Sequence, residues 1–310
     1  MVNMRKTTLL LVLLFATTLA NAQPFAVEYT RESGSYIIYY QYADNNQNTL
    51  EVCAVPNGEN PYYGDIVIPD QADIKVAGTT MSFPVVSICK EAFKNCTLLT
   101  SVDIPSSVTK IGTNAFNGCS NYKVNFSSLA HVLSIDYGNQ ESNPMFTAGI
   151  TTIDGKILSE ITINTDIKPY AFVKATWLKK VVLGNNVENI SNKAFYLCSN
   201  LSSLVIPSVS VIGTNAFEGC TSLKEIDLPS TLTSISKEAF KNCTGLQYIL
   251  IPESVNYIFE SAFWGCKNLV DLIISSRTSV LNIAQNAFPS LKHIYSKALY
   301  FQYLNINPVI

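Results

Sequence analysis

The dipeptide Ala-Phe recurs along this chain, placing its rings at Phe93, Phe116, Phe172, Phe195, Phe217, Phe240, Phe263 and Phe288, while Met-Phe adds Phe146 between the second and third. Successive gaps are 23, 30, 26, 23, 22, 23, 23 and 25 residues. A period in the low twenties held over so many copies is the signature of a solenoid, because one copy is too short to bury its own apolar face and must stack on the next. The phrase ICKEAFKNCTLL at 88–99 returns as ISKEAFKNCTGL at 235–246, so it marks one corner of the coil met again six coils later.

The most regular copy is LKEIDLPSTLTSISKEAFKNCTG, residues 223–245. Ile226 and Leu228 alternate with Glu225 and Asp227, which predicts a short half-buried strand. Pro229 removes a backbone donor and ends ladder pairing there. Residues Ser236 to Cys243 are enough for about one helical turn or an irregular corner, with Ala239, Phe240 and Cys243 facing inward.

The pattern L-x-x-I-x-I-P-x-x-V-x-x-I-x-x-x-A-F-x-x-C resembles the BspA-type leucine-rich repeat of bacterial and protist surface and secreted proteins. It is carried by LTSVDIPSSVTKIGTNAFNGC (99–119), LSSLVIPSVSVIGTNAFEGC (201–220), LKEIDLPSTLTSISKEAFKNC (223–243) and LQYILIPESVNYIFESAFWGC (246–266). The resemblance runs from about Ile66 to Ser296. It implies a leucine-rich repeat solenoid, mostly β with short helical or irregular corners, of about eight to nine coils of ~23 residues. It also implies adhesive roles, with no catalytic residues to carry over and no cofactor.

The expected organisation is a signal peptide at 1–22, an N-terminal β cap at 23–65, the solenoid at 66–296 and a C-terminal cap or tail at 297–310. The stretch 122–165 is irregular, and in the copy built on Phe172 the Pro place is taken by Asn164, seven residues before Ala171 rather than ten. Within the cap, YIIYYQY and TLEVCAV alternate in polarity around ADNNQN, which predicts a β-hairpin. Such a cap would cover the open edge of the first coil.

The N-terminus MVNMRKTTLLLVLLFATTLANAQ has a basic start, an apolar run from Leu9 to Phe15, and Ala20-Asn21-Ala22 as a small-residue cleavage site. The apolar run is short for a membrane span. Export follows, to a secreted, cell-surface or periplasmic location, with no transmembrane segment in the mature chain. Net charge is −2, or −4 without Arg5 and Lys6, which leaves no basic footprint for nucleic acid.

Six of the eight cysteines, Cys96, Cys119, Cys198, Cys220, Cys243 and Cys266, lie three residues after the Phe. On stacked coils about 5 Å apart their side chains run parallel rather than facing. Buried thiols acting as small apolar groups are the preferred reading, with disulfides the alternative. No CxxC pair and only two histidines are present, so no zinc site is expected.

Neither His131 nor His293 stands in a nucleophile or metal motif. Glu225 and Asp227 share a strand face about 7 Å apart, near the spacing of glycosidase carboxylates, but any exposed acidic strand offers that spacing, and no enzyme is expected. Flanking the inward residue of each strand are two columns that face out of the concave sheet. The first is Ser101, Lys180, Ser203, Glu225, Tyr248, Asp271 and His293; the second is Asp103, Val182, Val205, Asp227, Leu250, Ile273 and Tyr295. Near the C-terminal end Tyr248, Leu250, Asp271, Ile273, His293 and Tyr295 become neighbours, an apolar and aromatic cluster with a polar margin of the kind that binds proteins. Two alternatives stand beside this: β-branched residues simply favour strands, and KALYFQYLNINPVI could fold back over the cluster. The expected function is an exported, non-catalytic adhesin or scaffold that binds an extracellular or cell-surface protein through the concave face. Glycan binding through Tyr248, Tyr295 and nearby Asn and Asp is the alternative.

Overall fold

The computed structural model describes residues 24–31, 34–43, 48–56, 62–76, 78–275, 281–296 and 304–306. The expected leader at 1–22 lies outside these residues, as does all of 297–310 except 304–306. The chain divides into two compact units, Met1–Lys156 and Ile157–Ile310, and both are built as β-solenoid coils.

In the first unit Gly34–Tyr42 pairs antiparallel with Leu50–Val52, as the alternation of the two runs predicts. A further strand that the sequence reading did not identify, Phe25–Arg31, pairs antiparallel with Gly34–Tyr42. Phe25, Val27 and Tyr29 point inward from it against Tyr36, Ile38 and Tyr40, and the Tyr29 and Tyr40 hydroxyls share a 2.9 Å hydrogen bond. Leu50–Val52 then runs parallel to Thr79–Ile88, joining the antiparallel strands to a parallel row continued by Lys110–Ile111 and Asp136–Tyr137. Thr79–Ile88 also forms a hairpin with Gln71–Val76. A second parallel row consists of Gly64–Val67, Leu99–Ile104, Lys123–Phe126 and Ile150–Ile153. The irregular stretch therefore still contributes strands to both rows. A short helix, Leu129–Ser134, occupies the extra length and is capped by the Ser128 side chain.

In the second unit one row comprises Glu160–Ile163, Lys180–Leu183 and Ser203–Val205. Another comprises Tyr248–Ile251, Asp271–Ile274 and His293–Ser296. Between them residues 223–229 form no strand, although this copy has the clearest alternation: Ile226 is buried, but Leu228 only partly so. The row on the other side is continuous through Asn189–Ile190, Val211–Ile212, Ser234–Ile235, Tyr257–Ile258, Leu281–Ile283 and Leu304–Ile306.

At the corners the rings stack. Phe172, Phe195, Phe217, Phe240, Phe263 and Phe288 follow one another at 4.6–5.4 Å between centroids, each pair within 9° of parallel. The first five are completely or almost completely buried, and Phe288, at the end, is half-buried. In the first unit Phe93 and Phe116 stack at 4.9 Å, extended on one side by Tyr62 and on the other by Tyr122. Tyr122, rather than Phe146, continues that stack. Rings of this size bury roughly 150–250 Å² each, and stacked pairs add about 0.5–1.5 kcal/mol beyond area. The corners also carry their own backbone ladder: Phe172, Phe195, Phe217 and Phe240 donate N–H to the carbonyls of Ala194, Ala216, Ala239 and Ala262 on the following coil.

Each corner from Phe93 to Phe263 with an Ala-Phe pair has two left-handed residues, one two places before the Phe and one two places after it, and the Phe288 corner has the first of them. The first place holds Glu91, Asn114, Tyr170, Lys193, Asn215, Glu238, Ser261 and Asn286, all at φ near +60°. The second holds Asn95, Gly118, Lys174, Leu197, Gly219, Asn242 and Gly265. Asn and Gly enter that conformation at low cost, which explains the recurrent Phe-x-Asn-Cys and Phe-x-Gly-Cys endings. It also accounts for Asn95 and Asn242, whose Asn-Cys-Thr sequence matches a glycosylation acceptor.

Candidate partner-binding face

Tyr248, Leu250, Asp271, Ile273, His293 and Tyr295 all lie on the three-stranded row of the second unit. The register pairs Tyr248 with Asp271 and Asp271 with His293, and Leu250 with Ile273 and Ile273 with Tyr295. Ile249, Ile251, Leu272 and Ile274 on the same strands point into the core. Strand alternation therefore turns the six predicted residues outward together. Tyr248 is 43% exposed, Leu250 40% and Tyr295 55%, while Ile273 and Asp271 are half-buried and His293 is exposed.

Polar contacts rim this surface. His293 Nδ1 lies 2.9 Å from Asp271 Oδ1, and the His293 and Tyr295 rings are 6.1 Å apart. The Tyr248 hydroxyl donates to Glu225 Oε2 at 2.7 Å. That hydrogen bond and the negative charges of Glu225 and Asp227 hold the Tyr248 phenol above its ordinary pKa. Glu225 and Asp227, both exposed, sit on the segment without a strand, and Glu225 is engaged with the tyrosine rather than poised as one of a carboxylate pair.

The rest of the two columns is more polar. Lys180 pairs with Ser203 and Val182 with Val205 across their strands, and Val205 is exposed. Glu160, absent from the sequence-derived column, stands beside Lys180 and forms an ion pair with it at 3.3 Å. In the first unit Ser101 and Asp103 pair with Lys123 and Asn125.

The sequence reading also passed over Tyr257, Phe259 and Trp264, three exposed aromatics on the same coil as Tyr248. The Tyr257 and Phe259 rings are 4.9 Å apart. Tyr257 precedes inward Ile258, so its outward direction was readable from the strand period that placed Tyr248.

His131 is a core residue. Its Nε2 lies 2.8 Å from the Val108 carbonyl and its Nδ1 3.0 Å from Ser127 Oγ, and burial pushes its pKa below the ordinary value. The repeat cysteines are buried free thiols. Cys119, Cys198, Cys220, Cys243 and Cys266 donate to the carbonyls of Phe93, Phe172, Phe195, Phe217 and Phe240 at 2.8–3.4 Å. Among the described residues no group of three or more His, Cys, Asp or Glu is placed to hold a metal ion, and no helix is long and apolar enough to cross a membrane.

Comparison with solved structures finds a leucine-rich cell surface protein from Faecalibacterium prausnitzii A2-165, 21% identical over 93% of this chain and 96% of that one, with a TM-score of 0.39. It also finds the T. pallidum leucine-rich repeat protein TpLRR, 22% identical over 82% and 87% with a TM-score of 0.31. The pneumococcal vaccine antigen PcpA is 15% identical over 86% and 87%, with a TM-score of 0.40. No curated protein sequence matches. The profile of the BspA type leucine rich repeat region matches residues 73–165 and 165–295 with six copies. With the stacked corners and the paired strand rows, that match shows that the chain belongs to the BspA-type leucine-rich repeat family.

Proposed function

We propose that this is an exported, non-catalytic interaction protein, an adhesin or scaffold, and that the row bearing Tyr248, Leu250, Ile273 and Tyr295 is its protein-binding face. The observation that carries the reading is the exposure of large apolar side chains in register on three adjacent strands, rimmed by Asp271, His293 and Glu225. Apolar centres with polar margins are typical of protein interfaces, and tyrosine is prominent among the residues that dominate their energy. Export rests on the leader-like sequence at 1–22.

Tyr248 also gives the glycan alternative a foothold, because its hydroxyl is held by a carboxylate and its ring is exposed beside other hydrogen-bonding groups. The test is binding of the mature chain, Gln23 to Ile310, to parallel arrays of extracellular-matrix proteins and glycans. Saturable binding to a protein, lost in Tyr248→Ser and Tyr295→Ser variants of unchanged thermal midpoint, is the expected result. Binding confined to glycans would replace it with the second reading. A large loss of stability in these variants would show that the tyrosines serve the fold instead.

A further inference from the structure

Two of the eight cysteines stand outside the repeat position, and the fold brings those two together. Leu50–Val52 runs parallel to Thr79–Ile88 with Val52 opposite Ile88, and the Cys89 N–H donates to the Val52 carbonyl at 2.8 Å. One step further along the same ladder places Cys53 beside Cys89, with Cα atoms about 4.8 Å apart, inside the range a disulfide requires. Side chains directly opposite on parallel strands point the same way, which ordinarily leaves the Cβ atoms slightly too far apart. Here the Cys53 backbone is held by the Tyr39 carbonyl at 2.9 Å and the Tyr62 hydroxyl at 2.7 Å, so the small lean that closure needs falls to Cys89, beyond which Thr79–Ile88 does not continue.

The surroundings differ from those of the repeat cysteines. Five of those thiols are occupied as donors to buried Phe carbonyls, whereas Cys89 is only half-buried and accepts a hydrogen bond from Gln41 Nε2 at 3.4 Å. Both Cys53 and Cys89 line an open cleft of about 410 Å³, together with Pro24, Gln41, Glu51 and Lys90. A reagent can therefore reach Cys89 without the protein unfolding. The neighbouring Cys53 thiol, burial and the Glu51 carboxylate all push the Cys89 thiol above its ordinary pKa. Because the thiolate is the nucleophile, this slows attack from Cys89 without preventing it, and closure depends on sustained exposure to the oxidant.

We propose that Cys53 and Cys89 are a redox-modification site that closes to a disulfide on contact with a disulfide oxidant, fastening the antiparallel N-terminal strands to the first parallel row. The Cys89 thiolate attacks one sulfur of the oxidant, forming a mixed disulfide and releasing the first reduced thiol. The Cys53 sulfur then attacks the Cys89 sulfur and releases the second. Two protons and two electrons leave the protein, and the oxidant's disulfide is reduced to two thiols. The closed bridge spans residues 53–89, and by restricting the unfolded chain over a loop of that length it stabilises the first unit.

The test exposes the folded, reduced full chain to glutathione disulfide, quenches it in acid, and then alkylates under denaturing conditions for mass analysis. The expected result is protection of two of the eight thiols, a peptide linking Cys53 to Cys89, and a thermal midpoint raised on the order of 10 °C over the reduced protein. Cys89→Ala should abolish the protection, and Cys53→Ala should leave a glutathione adduct on Cys89 in place of the bridge. In the wild-type chain, recovery of all eight thiols, a stable glutathione adduct on Cys89, or a link mapped to another pair such as Cys96 and Cys119 would overturn the proposal. The wild-type peptide map decides the matter even if a variant folds poorly.

Discussion

Replacing Gly265 by Ala tests the corner geometry in two separable parts. Gly265 sits at φ +75°, where an L side chain costs about 1–2 kcal/mol. A Cβ there would also fall against the Asn242 side-chain oxygen of the preceding coil, well inside van der Waals distance. Turning that amide off its rotamer adds about 1 kcal/mol, and the stiffer unfolded chain returns about 0.5 kcal/mol. The net loss is about 2 kcal/mol, a fall in thermal midpoint of about 4–8 °C for a unit of this size. In an Asn242→Gly background, itself near neutral because Asn242 is left-handed at φ +58°, the contact is gone and only the backbone part remains. Urea unfolding of the four proteins of this cycle, followed by far-UV circular dichroism, should give a coupling of about 1 kcal/mol. An equal cost in both backgrounds would show that the two side chains do not meet, and a cost below about 0.5 kcal/mol would refute the left-handed corner. Gly118 repeats the arrangement against Asn95 in the first unit and should behave alike.

Phe217→Ala removes a fully buried ring stacked at 5.3 and 5.4 Å on its neighbours and should cost about 3–5 kcal/mol in urea unfolding; a loss under about 1 kcal/mol would deny the stack its role. His131 has a folded pKa below its ordinary value of 6.5 because it is buried, so the unfolded state takes up the proton first and stability falls as pH drops below that value. The urea midpoint should therefore decline between about pH 7 and pH 5, and His131→Asn should flatten the decline; an equally steep fall in the variant would assign it to other groups.

The coil was legible because its most demanding position takes one residue type. Phe fills the corner stack, Ala beside it leaves room for the next backbone, and both recur at a fixed distance. Where another ring does the same work the signal disappears: Tyr62 and Tyr122 continue the stack without a preceding Ala. Phe25–Arg31 was passed over although its inward residues alternate, since its pairing depends on a partner strand rather than on the repeat. Conversely, Ile226 and Leu228 show that alternation alone does not make a strand: a ladder needs successive hydrogen bonds to a neighbour, and at 223–229 the bond from Gln247 N–H to the Lys224 carbonyl is not continued into one. The outward residues of the candidate face were readable to the extent that strand parity sets direction. The tie between Tyr248 and Glu225 was not, because it crosses from one coil to the next and depends on how two particular side chains extend.

The corner hydrogen bonds from Phe to the Ala of the next coil join like to like. A coil therefore presents the same donors, acceptors and ring to whichever coil follows, and copies are interchangeable as building blocks. A gene segment of this period can be duplicated, lost or shuffled without designing a new junction. The side chains of Leu250 and Tyr295 point outward and take no part in that corner, so the outer surface of the array is free to diverge while the rule by which it lengthens stays the same.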